Sequence, residues 1–292
     1  MLKRNNTLSL IAAFLILSLF CSLQSVSDAQ ASNASVVYCP NPPPELETGE
    51  NTYSLQIANI IDYYIQTQGD FQFHTNEQGS SVTRTQMGYL THYCETNHNF
   101  ATVFYKGHSS NYICVGGQKH SFLMDYTGQA ANNIQDAYIW TNTILNRHDF
   151  VFLWTCGMAA ADMFPGGYCS GCGGGRGMCY SWMKITGISS DGYNYPTTTT
   201  QHVFLGFNWS SPNYKSQTGY LTWDYGGFAA HFYKYVLEEE KSVNQALDST
   251  SWLTMNTWYF DDTPLYEGLL GLEGQYTALK VFGNGNRGLP TT

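Results

Sequence analysis

Two short apolar runs, each ending on a chemically reactive residue type, stand out in the hydrophobic pattern of the chain. The first covers residues 100–108 and ends at His108, and the second covers residues 149–157 and contains Cys156 just before its final glycine. Runs of this length predict buried parallel strands, and the carboxyl ends of parallel strands meet at one edge of a sheet. The pattern therefore predicts that His108 and Cys156 lie side by side.

Helical periodicity separates the apolar runs. A helix capped by Ser54 and ended by Gly69 is predicted first, then a strand at 70–74, a second helix at 84–96, and a third helix beginning at Asn133. This alternation of helices and strands is typical of a mostly parallel sheet with helices on both faces. The sequence therefore predicts an α/β fold whose ligand site lies beyond the carboxyl ends of its strands.

The remaining signals are shorter. Ser242 and Gln245 form a capping box that predicts the start of a helix, after an aromatic helical pattern over 228–236. A small hairpin and three further strands are predicted at 112–124, 182–188, 202–207 and 275–282.

The amino terminus has the pattern of an export signal. Two basic residues, an apolar core and a small-residue cleavage point make residues 1–31 a predicted signal peptide. A retained anchor is the weaker alternative, because the apolar run at 8–23 is shorter than the roughly 20 residues that span a bilayer. Prolines then predict an extended lead-in over 32–53. With no linker signal beyond it, residues 54–292 are predicted to form one domain.

Charge restricts the class of partner. The chain of 292 residues carries 13 Lys and Arg against 22 Asp and Glu, a formal net charge of −9. This balance argues against nucleic acid or an anionic membrane surface as the partner. We expect a protein or peptide substrate, a secreted or cell-surface location, and no cofactor.

The cysteine count gives Cys156 a special place. Removing the leader with Cys21 leaves an odd number of cysteines, and exported proteins tend to pair theirs. Cys156, at a strand end rather than in a loop, is predicted to be the free thiol. The others are predicted to form disulfides among themselves, with the pairing left open: Cys39, Cys94, Cys114, Cys169, Cys172 and Cys179.

A thiol and an imidazole at one sheet edge can perform nucleophilic catalysis. A thiol attacks as the thiolate, and a neighbouring imidazole can lower its pKa and later protonate a leaving amine. Taken singly, His108 and Cys156 would more often be structural residues. Their joint placement favours a catalytic pair.

A zinc site competes with this interpretation at a different place. Cys169, Cys172 and Cys179 have a spacing that suits zinc, and His202 could be the fourth ligand. Exported chains favour disulfides over thiolate zinc sites. We therefore predict no metal.

The motifs around the two residues resemble a known superfamily. An apolar strand ending in Gly107-His108-Ser109, followed about 50 residues later by a strand ending in Thr155-Cys156-Gly157, resembles the caspase, gingipain and legumain superfamily of cysteine peptidases. Residues 228–247 and 279–284 are similar to its gingipain-like branch, and the likeness covers roughly 55–288. The resemblance implies a caspase-like three-layer fold and a secreted cysteine endopeptidase, with His108 as general acid and base and Cys156 as nucleophile.

One position departs from the pattern of that superfamily. Its members usually have glycine after the histidine, whereas this chain has Ser109. The resemblance implies that the backbone amides of Ser109 and Cys156 form the oxyanion hole. The serine favours the alternative of a catalytically inactive, secreted caspase-like binding module, while the retained His108 and Cys156 favour the enzyme.

Substrate preference is assigned only by the resemblance. It implies a specificity pocket in the predicted loop 74–84, where Glu77 would pair with a basic substrate residue and Arg84 with an acidic one. Both alternatives stay open, with a basic preference expected, although Trp154 stands where one basic-specific branch has an acidic residue. The resemblance also implies that Asn76 orients the imidazole of His108.

Overall fold

The computed structural model describes residues 32–41, 49–113, 119–145, 147–159, 177–183, 202–214, 224–260, 265, 269–270 and 276–292. The strands are β1 (Asn33–Cys39), β2 (Phe73–Gln78), β3 (Phe100–Lys106), β4 (Ser109–Ile113), β5 (Lys119–Leu123), β6 (Ile134–Gln135), β7 (His148–Trp154), β8 (Val203–Phe207), β9 (Leu269–Leu270), β10 (Tyr276–Thr277) and β11 (Leu279–Gly283). The helices are α1 (Glu50–Gln68), α2 (Arg84–Asn97), α3 (Asp136–Asn142), α4 (Met178–Met183), α5 (Tyr225–Leu237) and α6 (Val243–Met255).

A six-stranded sheet forms the centre of the molecule. Its strand order is β11-β8-β7-β3-β1-β2, and every neighbouring pair is parallel except β11 with β8. β4, β5 and β6 form a separate antiparallel sheet directly after β3, which contains the predicted hairpin. The carboxyl ends of β3, β7 and β8 therefore open at one edge of the central sheet.

Alternating side chains of the sheet face two apolar layers, as the period of a strand requires. Phe104 and Phe152 pack with α1, α5 and α6 on one face. Val103 and Val151 pack with α2, α3 and α4 on the other. Because both faces are covered, the strands are apolar along their whole length. The predicted α/β fold, a three-layer sandwich with a mostly parallel sheet, is confirmed.

The amino-terminal segment corrects the predicted lead-in. Residues Asn33–Cys39 form the strand β1, which pairs in parallel with β2 on one side and β3 on the other and is buried throughout. Polar residues interrupt the apolar pattern of this strand, so the sequence did not predict it. One of them, Ser35, is tolerated in the buried strand because its hydroxyl accepts a hydrogen bond of 2.8 Å from Thr102 on β3. The proline-rich residues 42–48 lie outside the described part of the chain.

Other boundaries differ from the sequence patterns. Helix α1 begins at Glu50 rather than after Ser54, whose hydroxyl donates to the Glu50 carboxylate at 3.3 Å. Residues 182–183, predicted as the start of a strand, end the short buried helix α4 instead. The capping box of Ser242 and Gln245 is confirmed at the start of α6. No helix within the described ranges is both long and apolar enough to cross a membrane.

Candidate active site

The register of the central sheet places the two reactive residues at the same height. Lys106 at the end of β3 pairs with Trp154 at the end of β7. His108 lies two residues beyond Lys106, and Cys156 lies two residues beyond Trp154. Since the two strands are parallel neighbours, His108 and Cys156 leave the sheet side by side at its carboxyl edge.

A direct hydrogen bond joins the two strand ends. The hydroxyl of Ser109, the residue after His108, donates to the backbone carbonyl of Cys156 at 2.5 Å. The Ser109 oxygen in turn accepts a hydrogen bond of 2.9 Å from the hydroxyl of Thr155. The histidine and cysteine segments are thus in contact, and the contact comes from a side chain that glycine could not supply.

A third loop, absent from the sequence prediction, closes around the thiol. The backbone N–H of Ser211 donates to the Cys156 sulfur at 3.3 Å, and the Ser211 hydroxyl lies 3.7 Å from it. Residues 208–214, which we call the β8 loop, are held by the Trp154 indole N–H, which donates to the carbonyl of Pro212 at 2.9 Å. In the sequence, the place of this loop directly after the predicted strand 202–207 is the only feature that indicates its role.

The backbone of Ser109 suits an oxyanion donor. The N–H of Met124 donates to the carbonyl of His108 at 3.0 Å, so the next pair of the ladder, Ser109 with Leu123, is a non-hydrogen-bonded pair. The N–H of Ser109 therefore points away from β5, on the side where β4 is the edge of its sheet. Within the described ranges, the non-glycine residues with positive φ do not include Ser109. Serine thus meets no backbone strain here.

The surroundings of His108 favour its neutral form. Burial is the main cause that lowers the pKa of His108 below its ordinary 6.5, and the charge of Lys106 lowers it further, while Glu50 opposes them. Lys106 and Glu50 form an ion pair of 2.9 Å, with both side chains nearly inaccessible to solvent. A neutral imidazole can accept the proton of a thiol.

Glu50 is a site component that the sequence did not reveal. Besides Lys106, its carboxylate accepts the N–H of Tyr214 at 2.9 Å, which fastens the β8 loop to α1. The Lys106 ammonium also lies 4.8 Å from the centre of the Tyr214 ring. This buried cluster connects the strand that leads to His108 with the loop that contacts Cys156. Its only sequence signal is a lysine at the end of an otherwise apolar strand.

The predicted specificity loop is not a loop. Residues 74–78 belong to the edge strand β2, residues 79–81 form one turn of 3-10 helix, and Arg84 begins α2. Asn76 pairs with Val37 of β1 and donates to Asn59 of α1 at 3.0 Å. Because β1 separates β2 from β3, the structure does not bring Asn76 together with His108.

The two candidate specificity charges lie on different elements. Glu77 is on β2, where its carboxylate accepts the hydroxyl of Thr75 at 2.9 Å. The Arg84 guanidinium lies over the ring of Tyr138, 4.4 Å from its centre. Neither contact involves Cys156. Their roles in substrate preference remain predictions, which peptide-library cleavage by Glu77→Gln and Arg84→Gln would test.

Trp154 cannot line a charged pocket. Its side chain is fully buried and packs against the rings of Phe207 and Tyr214, with centroids 5.1 and 5.0 Å away. A preference for basic substrate residues therefore cannot come from this position.

The described cysteines correct the predicted disulfides. Cys39, Cys94, Cys156 and Cys179 are free thiols, so the prediction that Cys39, Cys94 and Cys179 are paired is wrong. Each of these three is buried in a core layer as a small apolar side chain, and burial raises the pKa of Cys39 and of Cys94 to about 12. Cys156 is partly exposed. The predicted partners Cys114, Cys169 and Cys172 lie outside the described residues.

The alternative zinc ligand has another partner. His202 precedes β8, and its Nδ1 lies 2.8 Å from a carboxylate oxygen of Asp149, which precedes the apolar part of β7. This pair lies at the amino ends of the strands, opposite the Cys156 edge. Of the three cysteines of that alternative, Cys179 is buried in a core layer, and Cys169 and Cys172 are outside the described part of the chain.

Comparison with known proteins gives a distant structural likeness. The fold is similar to that of the Arg-specific cysteine proteinase gingipain R (RGPB), with a TM-score of 0.42 and 10% sequence identity. The alignment covers 90% of this chain and 48% of that one, so this chain spans about half the length of the similar structure. No family model and no curated protein matches the sequence. The contacts of the site therefore have to support the proposed function on their own.

Proposed function

We propose that the protein is a cysteine endopeptidase that hydrolyses peptide bonds through His108 and Cys156. The observation that carries this proposal is the equal register of the two residues beyond β3 and β7, joined by the hydrogen bond from Ser109 to the carbonyl of Cys156. A partly exposed thiol at one strand end, and a histidine with a lowered pKa at the neighbouring strand end, suit a nucleophile and its base.

The proposed reaction follows from the groups present. Neutral His108 accepts the proton of Cys156, and the thiolate attacks the carbonyl carbon of the scissile peptide bond. The N–H groups of Ser109 and Cys156 stabilise the oxyanion, while the N–H of Ser211 holds the sulfur before attack. His108 then protonates the leaving amine. A water molecule hydrolyses the thioester and restores the free thiol, with His108 again as the base.

Export of the protein is part of the proposal. It is supported by the leader pattern in residues 1–31. The acidic net charge of −9 supports a separate point, that the partner is a protein or peptide rather than nucleic acid. Amino-terminal sequencing of protein recovered outside the cell tests the proposed export, and recovery of the chain with its leader intact would count against export.

A peptidyl chloromethyl ketone, which alkylates activated thiols, tests the proposed function. We expect it to modify Cys156 and to stop hydrolysis of a peptide library by the same sample, with no modification in Cys156→Ala. Cys39, Cys94 and Cys179 serve as internal controls, because buried thiols with raised pKa values should react only after denaturation.

The alternative binding module gives a different result in that experiment. It would hydrolyse no peptide, and its Cys156 would react no faster than the same thiol in the denatured protein. The main reason to favour the module is Ser109, and the extended backbone at that residue lets its amide donate without strain.

The dependence of kcat/KM on pH is expected to reflect His108. Because burial and Lys106 lower its pKa, the imidazole is neutral and able to act as a base down to a pH below 6.5. We expect the acid limb of the kcat/KM profile to have an apparent pKa below 6.5. An acid limb above that value, measured with a substrate that does not titrate, would contradict the role assigned to His108.

A further inference from the structure

The peptide unit that follows the nucleophile is held at both ends. The Cys156 carbonyl accepts the Ser109 hydroxyl at 2.5 Å, and the Gly157 N–H on the opposite side of the same peptide plane donates to the carbonyl of Trp209 at 2.7 Å. The two partners belong to the segment after β3 and to the β8 loop. Loops from the strands on either side of β7 therefore clamp one peptide group.

This peptide group is one that can rotate easily. Gly157 has φ of 68° within a turn that runs from Cys156 to Ala159. The peptide between Cys156 and Gly157 rotates through ψ of Cys156 and φ of Gly157, and glycine adopts positive and negative φ without strain. Rotation here would change ψ of Cys156, which carries the nucleophile, and would break both hydrogen bonds of the clamp.

The hydroxyl of Ser109 is oriented for this contact. Thr155, which is fully buried, donates its own hydroxyl proton to the Ser109 oxygen at 2.9 Å. With that acceptor position used, the proton of Ser109 is directed to the Cys156 carbonyl. A glycine at position 109 could supply a backbone amide but not this hydrogen bond.

We propose that the Ser109 side chain is a positioning residue that locks the Cys156–Gly157 peptide in its productive orientation. The inference rests on the proposed peptidase function. It explains why this chain carries serine where members of the superfamily it resembles carry glycine. The backbone of Ser109 serves the oxyanion, and its hydroxyl fixes the turn that presents the thiol.

The test compares Ser109→Ala with Ser109→Thr, which keeps a hydroxyl, and with Ser110→Ala, which removes an exposed hydroxyl from the next residue. We expect Ser109→Ala to lower kcat about tenfold or more, the effect of one well-placed hydrogen bond, with KM changed less than about twofold. The exchange rate of the Gly157 amide hydrogen should rise about tenfold. Ser109→Thr should recover most of both losses, and Ser110→Ala should match the wild type.

A purely structural role gives another result. It would lower thermal stability and the fraction of Cys156 that iodoacetamide can titrate, but it would leave kcat per titrated thiol unchanged, and that outcome overturns the proposal. If the wild type hydrolyses no peptide, the peptidase function is wrong. In that case the exchange rate of the Gly157 amide hydrogen is the measurement that decides whether Ser109 fixes the Cys156–Gly157 peptide. Unchanged Gly157 exchange in Ser109→Ala overturns the lock in either case.

Discussion

Replacing His108 with alanine is expected to lower kcat for peptide hydrolysis by about two to four orders of magnitude, the usual contribution of a positioned acid and base. The alanine variant lacks the group that we propose to accept the thiol proton and to protonate the leaving amine. The neighbouring Lys106 cannot take over this role, because it is engaged in the buried ion pair with Glu50. Initial rates at saturating substrate, normalised to titrated thiol, measure the effect.

A matched histidine provides the control. His92 is exposed on α2, on the far side of that helix from the sheet, and His92→Ala should keep the wild-type rate. The alkylation rate of Cys156 in His108→Ala should also approach that of a simple thiol across the pH range. Retention of more than about a tenth of the wild-type kcat in His108→Ala would exclude the histidine as the essential base.

Replacing Glu95 with glutamine is expected to lower the free energy of unfolding by about 3–5 kcal/mol, the largest loss among the variants proposed. The reason is that removing one partner from a buried charged network leaves the other groups without their charge partner. Glu95 is fully buried at the end of α2. Its carboxylate accepts the N–H groups of Ile144, Leu145 and Arg147 and contacts His148 Nδ1 at 2.8 Å. One side chain therefore organises the segment that leads into β7, the strand that ends at Cys156.

The dependence of stability on pH gives a second measure of Glu95. Burial alone would raise its pKa, but the hydrogen bond and charge of His148 and the N–H groups of Arg147 and Leu145 outweigh it and hold the pKa at about 2. Because the folded-state pKa lies below the ordinary 4.5, this stabilisation is complete above about 4.5 and is lost as the pH falls through about 2.

Denaturant unfolding between pH 4.5 and 2 separates the contribution of the Glu95 carboxylate from that of the other titrating groups. The free energy of unfolding of Glu95→Gln should fall less steeply between pH 4.5 and 2 than that of the wild type. Glu238→Gln, which changes an exposed carboxylate in the same way, should shift stability by less than about 0.5 kcal/mol. Equal stability of Glu95→Gln and the wild type at pH 7 would show that the buried network contributes nothing net.

Local patterns in the sequence are sufficient for the strands that carry the proposed site. Residues 100–106 and 148–154 are buried on both faces, so their apolar runs are unbroken and their ends are sharp. For that reason the apolar runs by themselves predict that His108 and Cys156 lie at one edge. The edge strand β2 is polar and half exposed, and no apolar run marks it.

Contacts between distant residues cannot be predicted in the same way. Glu50 and Lys106 meet because the first residue of α1 lies against the carboxyl end of β3, and Ser211 reaches the thiol because β8 is next to β7. Each pairing depends on the strand order, which helix and strand periodicity alone do not determine. The cysteines show the same limit, since a count of thiols predicts disulfides where burial in separate core positions leaves them free.

The interior position of β1 in the sheet restricts how this protein could be matured. Asn33–Cys39 is the only strand that joins β2 to β3 in the described sheet, and it is hydrogen-bonded on both sides. A processing cut that discards more than the first 32 residues would remove an interior strand, detach β2 and expose the side of β3. An inhibitory amino-terminal propeptide of the proposed peptidase would therefore have to lie before Asn33. A longer stretch removed for activation would have to come from elsewhere in the chain.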